Sequence, residues 1–151
     1  MDETYVKVSG LWKYLYQAVD RDGHTVEFLL RAKRDHAEAR AFFERAMDLH
    51  GVPEKIKIDK SGANTAAIRR LQADSGLYIE MRQSKYLNNL VEQDHRAVKR
   101  LTRPMFGFKT FGCARILIAG IEVMHMIRKG QLGDIKDRSL SATNQFYSLA
   151  F

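Results

Sequence analysis

Hydrophobic and polar positions alternate over residues 4–8 and again over 11–19, with only Ser9-Gly10 between the two runs. That period of two predicts strands, and the Ser-Gly pair predicts a tight turn, because glycine accepts positive φ. On the second run Trp12, Tyr14, Tyr16 and Ala18 fall on one face. Residues 20–23, Asp-Arg-Asp-Gly, read as a turn, and Val26, Phe28 and Leu30 alternate beyond it to complete a three-stranded antiparallel meander. The period then changes. Asp35 with Glu38 three residues later has the form of a capping box. It opens a helix expected to bury Ala39, Phe42, Phe43, Ala46 and Leu49, which Gly51 and Pro53 stop. Residues 55–58 predict a short strand ending at Asp59, 64–75 a helix closed by Gly76, and 77–81 a brief fifth strand. Two helices follow. One covers about residues 88–100, with Leu90, Val91, Val98 and Leu101 apolar. The other covers about 111–129 and is apolar on most of its circumference, so it is expected to be buried.

Composition adds a direction. The 151 residues suit one domain with a sizeable core, and they carry 25 Lys+Arg against 18 Asp+Glu, a formal net charge of +7. A single cysteine, Cys113, excludes an internal disulfide framework and a multi-cysteine zinc site. The acidic start Met1-Asp2-Glu3 is unlike a signal peptide, and the most apolar stretch, 116–127, is too short to span a bilayer and holds Glu122 and His125. The expectation is a soluble, cytoplasmic, basic domain with no membrane partner. Its charge is concentrated. Between Met81 and Lys109 stand Arg82, Lys85, Arg96, Lys99, Arg100, Arg103 and Lys109, against only Glu92 and Asp94. A one-signed cluster of this kind suits a surface that grips phosphate.

The order β-β-β-α-β-α-β-α-α implies a mixed five-stranded sheet flanked by helices, and it matches the ribonuclease H-like, retroviral-integrase-like α/β fold. Three carboxylates suit the metal-dependent chemistry of that fold. Asp2 opens the first strand, Asp59 ends the fourth, and Glu92 lies on the first turns of the late helix. Only tertiary structure can bring them together, since 56 residues lie between the first pair and 32 between the second. Hard carboxylate oxygens suit Mg²⁺, and three such groups can hold two ions. Taken singly, each also has a bland reading: a terminal charge, a turn or cap residue, a solvated helix position.

The runs Asp2-Glu3-Thr4-Tyr5-Val6-Lys7-Val8 and Trp12-Lys13-Tyr14-Leu15-Tyr16-Gln17-Ala18-Val19-Asp20 resemble the opening of the catalytic domain of DDE transposases, in the bacterial insertion-sequence-six branch. The resemblance continues through Ile58-Asp59-Lys60, the stretch from Lys85 to Arg96, Gly120-Ile121-Glu122-Val123-Met124 and Arg128-Lys129-Gly130-Gln131, covering about residues 2–132. It implies that Asp2, Asp59 and Glu92 are the catalytic triad and the ligands of two Mg²⁺ ions, with Mn²⁺ as a substitute. It implies DNA as partner, both element ends and target, and a homo-oligomer acting on the bacterial nucleoid. The reaction implied is DNA cleavage and strand transfer, as in transposition, recombination and integration. Lys99, seven positions after Glu92, matches a lysine that many such enzymes carry.

Helical spacing supports the same helix as a DNA-binding face. Glu92, Arg96 and Lys99 fall at i, i+4 and i+7, and Arg100 and Arg103 extend the basic side. Residues 1–133 are expected to form the catalytic domain and 134–151 a tail. Family members carry a helix-turn-helix region ahead of this domain, so that region is expected to be absent, and an Asp2 so near the chain start to be loosely held. Two alternatives stay open: a truncated, non-catalytic DNA-binding remnant, and a ribonuclease H-like nuclease without strand transfer. The remaining features have ordinary readings. Met124, Met126 and Ile127 are expected in the core, Cys113 as a small buried thiol, His95 as solvated or hydrogen-bonded, and the strand aromatics against a helix.

Overall fold

Ser9 and Gly10 both adopt positive φ, 50° and 78°, the geometry that joins two antiparallel strands in the fewest residues. They link β1 (Asp2–Val8) to β2 (Leu11–Val19), which pairs in turn with β3 (Thr25–Arg31). Then follow α1 (His36–His50), β4 (Lys55–Ile58), α2 (Gly62–Ser75), β5 (Glu80–Gln83), α3 (Asn89–Thr102), a 3₁₀ turn over Arg103–Met105, and α4 (Phe111–Arg128). This computed structural model describes residues 1–60, 62–84, 89–132, 141, 143–144 and 146–147. Most of the stretch 134–151, read from sequence as a tail, lies outside the described residues.

The element order is the expected one, with two adjustments. The strands form an antiparallel ladder β1-β2-β3 and a separate parallel pair β4-β5. The Met1 ammonium links them by donating to the Lys57 carbonyl at 2.8 Å. With its side chain also buried, Met1 anchors the start of β1, so Asp2 is not loosely held as the sequence suggested. The fifth strand begins at Glu80 and not at residue 77, leaving Leu77 and Tyr78 exposed. The capping box is half made: Asp35 Oδ1 accepts from the Glu38 amide at 2.9 Å, while the Glu38 carboxylate turns to Arg31 at 3.0 Å.

Two cores sit on the two faces of the sheet. Tyr16, Phe42, Phe43, Ile58, Ile68 and Leu71 pack β2 and β4 against α1 and α2. Val6, Val8, Leu15, Leu30, Val98 and Ile118 pack the other face against α3 and α4. Leu49, expected in the first core, is exposed at the end of α1, as are Leu90 and Leu101 on α3. The larger correction concerns α4. It buries Ala114, Ile118, Glu122 and Ile127 but exposes Ile116, Leu117, Met124 and Cys113. A helix lying on one face of a sheet buries one stripe, whatever its composition on the others. Among the described residues no helix is long and apolar enough to cross a membrane.

The second core holds a carboxyl. Glu122 is fully buried, and Gln17 Nε2 donates to its Oε1, while Glu122 Oε2 and Gln17 Oε1 have no partner among the described residues. Burial, with the Asp94 carboxylate adding and Lys129 opposing, pushes its pKa up from 4.5 to about 7. The folded state therefore keeps a proton that the unfolded chain releases. Stability from this group is full below pH 4.5 and is lost as pH rises towards 7. That loss is about 3 kcal/mol. Glu122→Gln, which retains a donor and an acceptor without the charge, is expected to flatten the fall. Melting temperatures followed from pH 4 to 8 test this; parallel curves for both proteins would refute it.

Candidate active site

The start of β1 meets the end of β4, and each delivers an acid. Asp2 stands at the start of β1, and Asp59 follows Ile58, the fully buried last residue of β4. One carboxylate oxygen from each of Asp2, Glu3 and Asp59 lies within 4.8 Å of the others. The cluster sits at a half-buried rim, where acid groups crowd one another. Burial pushes the Asp2 carboxyl up to about 6, against the stabilising Glu3 amide at 2.9 Å, and the Asp59 and Glu3 charges push it further.

Glu3 is the site residue that sequence reasoning passed over. Its carboxylate pairs with Arg34 and accepts from Asn64 Nδ2 at 2.8 Å, and the same Nδ2 reaches Asp59 Oδ1 at 3.2 Å. Asn64 is fully buried on α2, so it fixes Asp59 relative to Glu3. Arg34 balances the charge of Glu3. The only sequence signal for Glu3 was its adjacency to Asp2, and strand alternation argues against such neighbours sharing a site.

Glu92 is placed differently. It lies in the first turn of α3, half exposed, with its carboxylate 3.7 Å from Arg96, and it is not part of the cluster formed by Asp2, Glu3 and Asp59. The structure thus brings two of the three expected acids together and sets the third on the neighbouring helix. Around that helix the expected faces are clear. Val91, Asp94, His95, Val98 and Thr102 are buried, whereas Glu92, Arg96, Arg100 and Arg103 are exposed and Lys99 half-buried. A cavity of about 450 Å³ opens beside Met1, Phe43, Ile56 and Val91, but none of Asp2, Asp59 and Glu92 lines it.

What holds α3 in place was not visible in the sequence. Asp94, one of the two acids in the basic stretch, is buried, and it accepts from Lys129 Nζ at 2.7 and 2.9 Å and faces His125 Nε2 at 3.1 Å. Gln131 then clamps Thr25, accepting from its amide at 2.8 Å and donating to its carbonyl at 2.5 Å. The run Arg128-Lys129-Gly130-Gln131 therefore braces α3 against β3 and α4. His95 is buried and not solvated, and among the described residues its Nε2 has no hydrogen-bond partner. Burial and the nearby Lys99 lower its pKa to about 4, so it is neutral at physiological pH.

A family model described as a DDE domain, of the IS240 transposase group, matches residues 1–131. The chain belongs to the DDE transposases of the insertion-sequence-six family. The DDE domain is 38% identical over 131 residues to the transposase for insertion sequence-like element IS431mec of Staphylococcus aureus, and equally to the transposase for insertion sequence element IS257 in transposon Tn4003. The match takes in 85% of this chain and 57% of each relative, so the chain spans little more than half their length. Among solved structures it is similar to the HTLV-2 integrase catalytic core domain in complex with magnesium. The TM-score is 0.62 at 18% identity for the trimeric form, covering 95% of this chain and 90% of that one. For the dimeric form it is 0.61 at 19% identity, covering 87% and 83%. The DDE domain therefore has the ribonuclease H-like fold that its element order implied.

Proposed function

We propose that this DDE domain cleaves phosphodiester bonds at the ends of a DNA element and transfers the freed 3′ ends to target DNA. The observation that carries this reading is the convergence of Asp2 and Asp59 from two strand ends, next to a helix that carries Glu92 and an exposed basic face. The donor set fits Mg²⁺, a hard ion that takes carboxylate oxygens and keeps several waters. Asp2, Asp59 and Glu92 would hold two such ions, or Mn²⁺ in their place. When bound, they supply activation of the attacking oxygen and stabilisation of the leaving one. In the first reaction water adds to phosphorus and the bond to the 3′ oxygen breaks; in the second the freed 3′ hydroxyl attacks a target phosphate and displaces another 3′ oxygen.

This chain's residues would do the positioning. Asn64 sets Asp59, Arg34 balances Glu3, and the Asp94–Lys129 brace holds α3, the helix that carries Glu92. Arg96, Lys99, Arg100 and Arg103 would neutralise the backbone phosphates of element and target DNA, with a homo-oligomer acting on paired ends in the bacterial cytoplasm. The similarity to the HTLV-2 integrase core with magnesium supports the metal, and the transposase relatives support the substrate.

The deciding experiment incubates the protein with element-end DNA and Mg²⁺ or Mn²⁺, beside Asp59→Ala. Nicking by the parent alone is expected; equal background in both would sink the catalytic reading and leave a DNA-binding remnant. Separately, Lys99→Ala with Arg100→Ala is expected to weaken DNA retention and lower the slope of log affinity against log salt by roughly 2, since two phosphate contacts are lost. An unchanged slope would place the DNA elsewhere.

A further inference from the structure

The aromatic stripe of β2 is only partly covered. Tyr16 is buried against Phe42 of α1, but at the far end of the strand Trp12 is 61% exposed. Tyr5 of β1 meets the Trp12 ring edge-on at 6.4 Å, and Lys7 Nζ stands 6.0 Å from its centroid. Beyond them, after the 3₁₀ turn, Phe106 is 92% exposed. These rings line a pocket of about 350 Å³ whose charged lining residues are Lys7, Lys99 and Arg103. No carboxylate among the described residues lines it.

Phe106 does not reach solvent by accident of a loose loop. Its φ of 55° is left-handed, an unfavourable conformation for a bulky residue, and three contacts impose it. The Phe106 amide donates to Arg103 at 3.1 Å, and the Phe108 amide donates to the Lys7 carbonyl at 2.7 Å. Between them Gly107, at φ 108°, lies so close to β1 that a Cβ would meet the Lys7 carbonyl at 3.0 Å. A large apolar ring is thus presented to water by a strained and pinned turn. Such a ring without a partner loses by its exposure, and one that stacks on a ligand gains by being held ready.

We propose that this pocket takes an unstacked nucleotide of single-stranded DNA, its base against Phe106 and Trp12 and its phosphates on Lys7, Lys99 and Arg103. Rings interleaved with cations, and no acid, match a base carried on a phosphate backbone. A duplex does not fit, because its stacked bases offer only their edges. Lys99 lies both in the pocket and on the Glu92 face of α3, about 10 Å along the helix from Glu92. A strand that follows the Glu92 face of α3 runs into the pocket. The inference rests on the DNA reading above and adds a strand state to it: DNA near the cleavage position is unpaired when bound.

Trp12 is the sole tryptophan, so its emission reports on this pocket alone. Titrating the full chain with a short single-stranded oligonucleotide is expected to quench Trp12 saturably, and a blunt duplex of the same sequence is expected not to. Phe106→Ala, at a site too exposed to endanger the fold, should weaken single-strand affinity on the order of tenfold while duplex affinity and melting temperature stay unchanged. Single-strand binding that leaves Trp12 emission unaltered, or equal affinity in Phe106→Ala, overturns the inference while the DNA reading stands. Absence of binding to either DNA overturns both. Should Phe106→Ala alter sedimentation and not DNA affinity, the turn serves self-association and the inference falls.

Discussion

Replacing Asp59 by asparagine is expected to cut metal-dependent DNA cleavage by about a thousandfold, while the protein still folds. The loss follows from removing one of the two carboxylates that the strand ends bring together, since metal stabilisation of a phosphoryl transition state is worth several kcal/mol and each 1.36 kcal/mol is about tenfold in rate. The fold is expected to survive the change. Asp59 repels ionised Asp2 but attracts the Met1 ammonium, so the two effects oppose one another, and asparagine keeps an acceptor for Asn64. Added Mg²⁺ should likewise raise the melting temperature of the parent and leave that of Asp59→Asn nearly unmoved, because a ligand stabilises only a state that binds it. Nicking rates and melting curves, each with and without metal, check both statements. A variant that cleaves at the parental rate would remove Asp59 from the chemistry; one that melts far below the parent would make it a structural residue.

For Asp94 the expected effect falls on the fold. Among the described residues, Asp94→Ala leaves Lys129 Nζ, which is mostly buried, with only the Thr25 hydroxyl at 3.4 Å, and it strips His125 of its carboxylate partner. Breaking a buried pair from one side costs about 3–5 kcal/mol, because the remaining charge stays desolvated. In a domain of this size that lowers the melting temperature by roughly 10 °C. Thermal or urea denaturation reads it directly. Added salt should not reproduce the loss, because a pair shielded from solvent is screened much less than surface charges. A melting temperature within a degree or so of the parent would mean that packing alone holds α3, and that the Lys129–Gln131 segment is not its brace.

Asp94 also marks where sequence reading stopped. Within the basic stretch it is simply a second acid beside Glu92, because spacing along α3 places both near its start and charge carries no address. The structure turns them to opposite sides: Glu92 into solvent beside Arg96, Asp94 onto Lys129. Helix α4 was misjudged for the same reason. Its composition promised burial all round, but the sheet covers one stripe, and Ile116, Leu117 and Met124 stay exposed. By contrast, the meander with its Ser9-Gly10 turn, the Asp35 cap and the placement of Asp59 at the end of β4 followed from residues a few positions apart.

The sequence by itself determined the elements, their order, the cationic face of α3 and, through its motifs, the family. Each depends on local periodicity, turn chemistry or residue identity, which neighbours along the chain specify. Tertiary structure alone decided that Asp2 and Asp59 meet with Glu3 between Arg34 and Asn64, that Asp94 and Glu122 are buried, and that Phe106 faces Trp12 across a basic pocket. Those outcomes depend on which faces pack across dozens of intervening residues. Desolvation and charge pairing act between groups adjacent in space, and that adjacency arises only when the sheet and its helices close on one another.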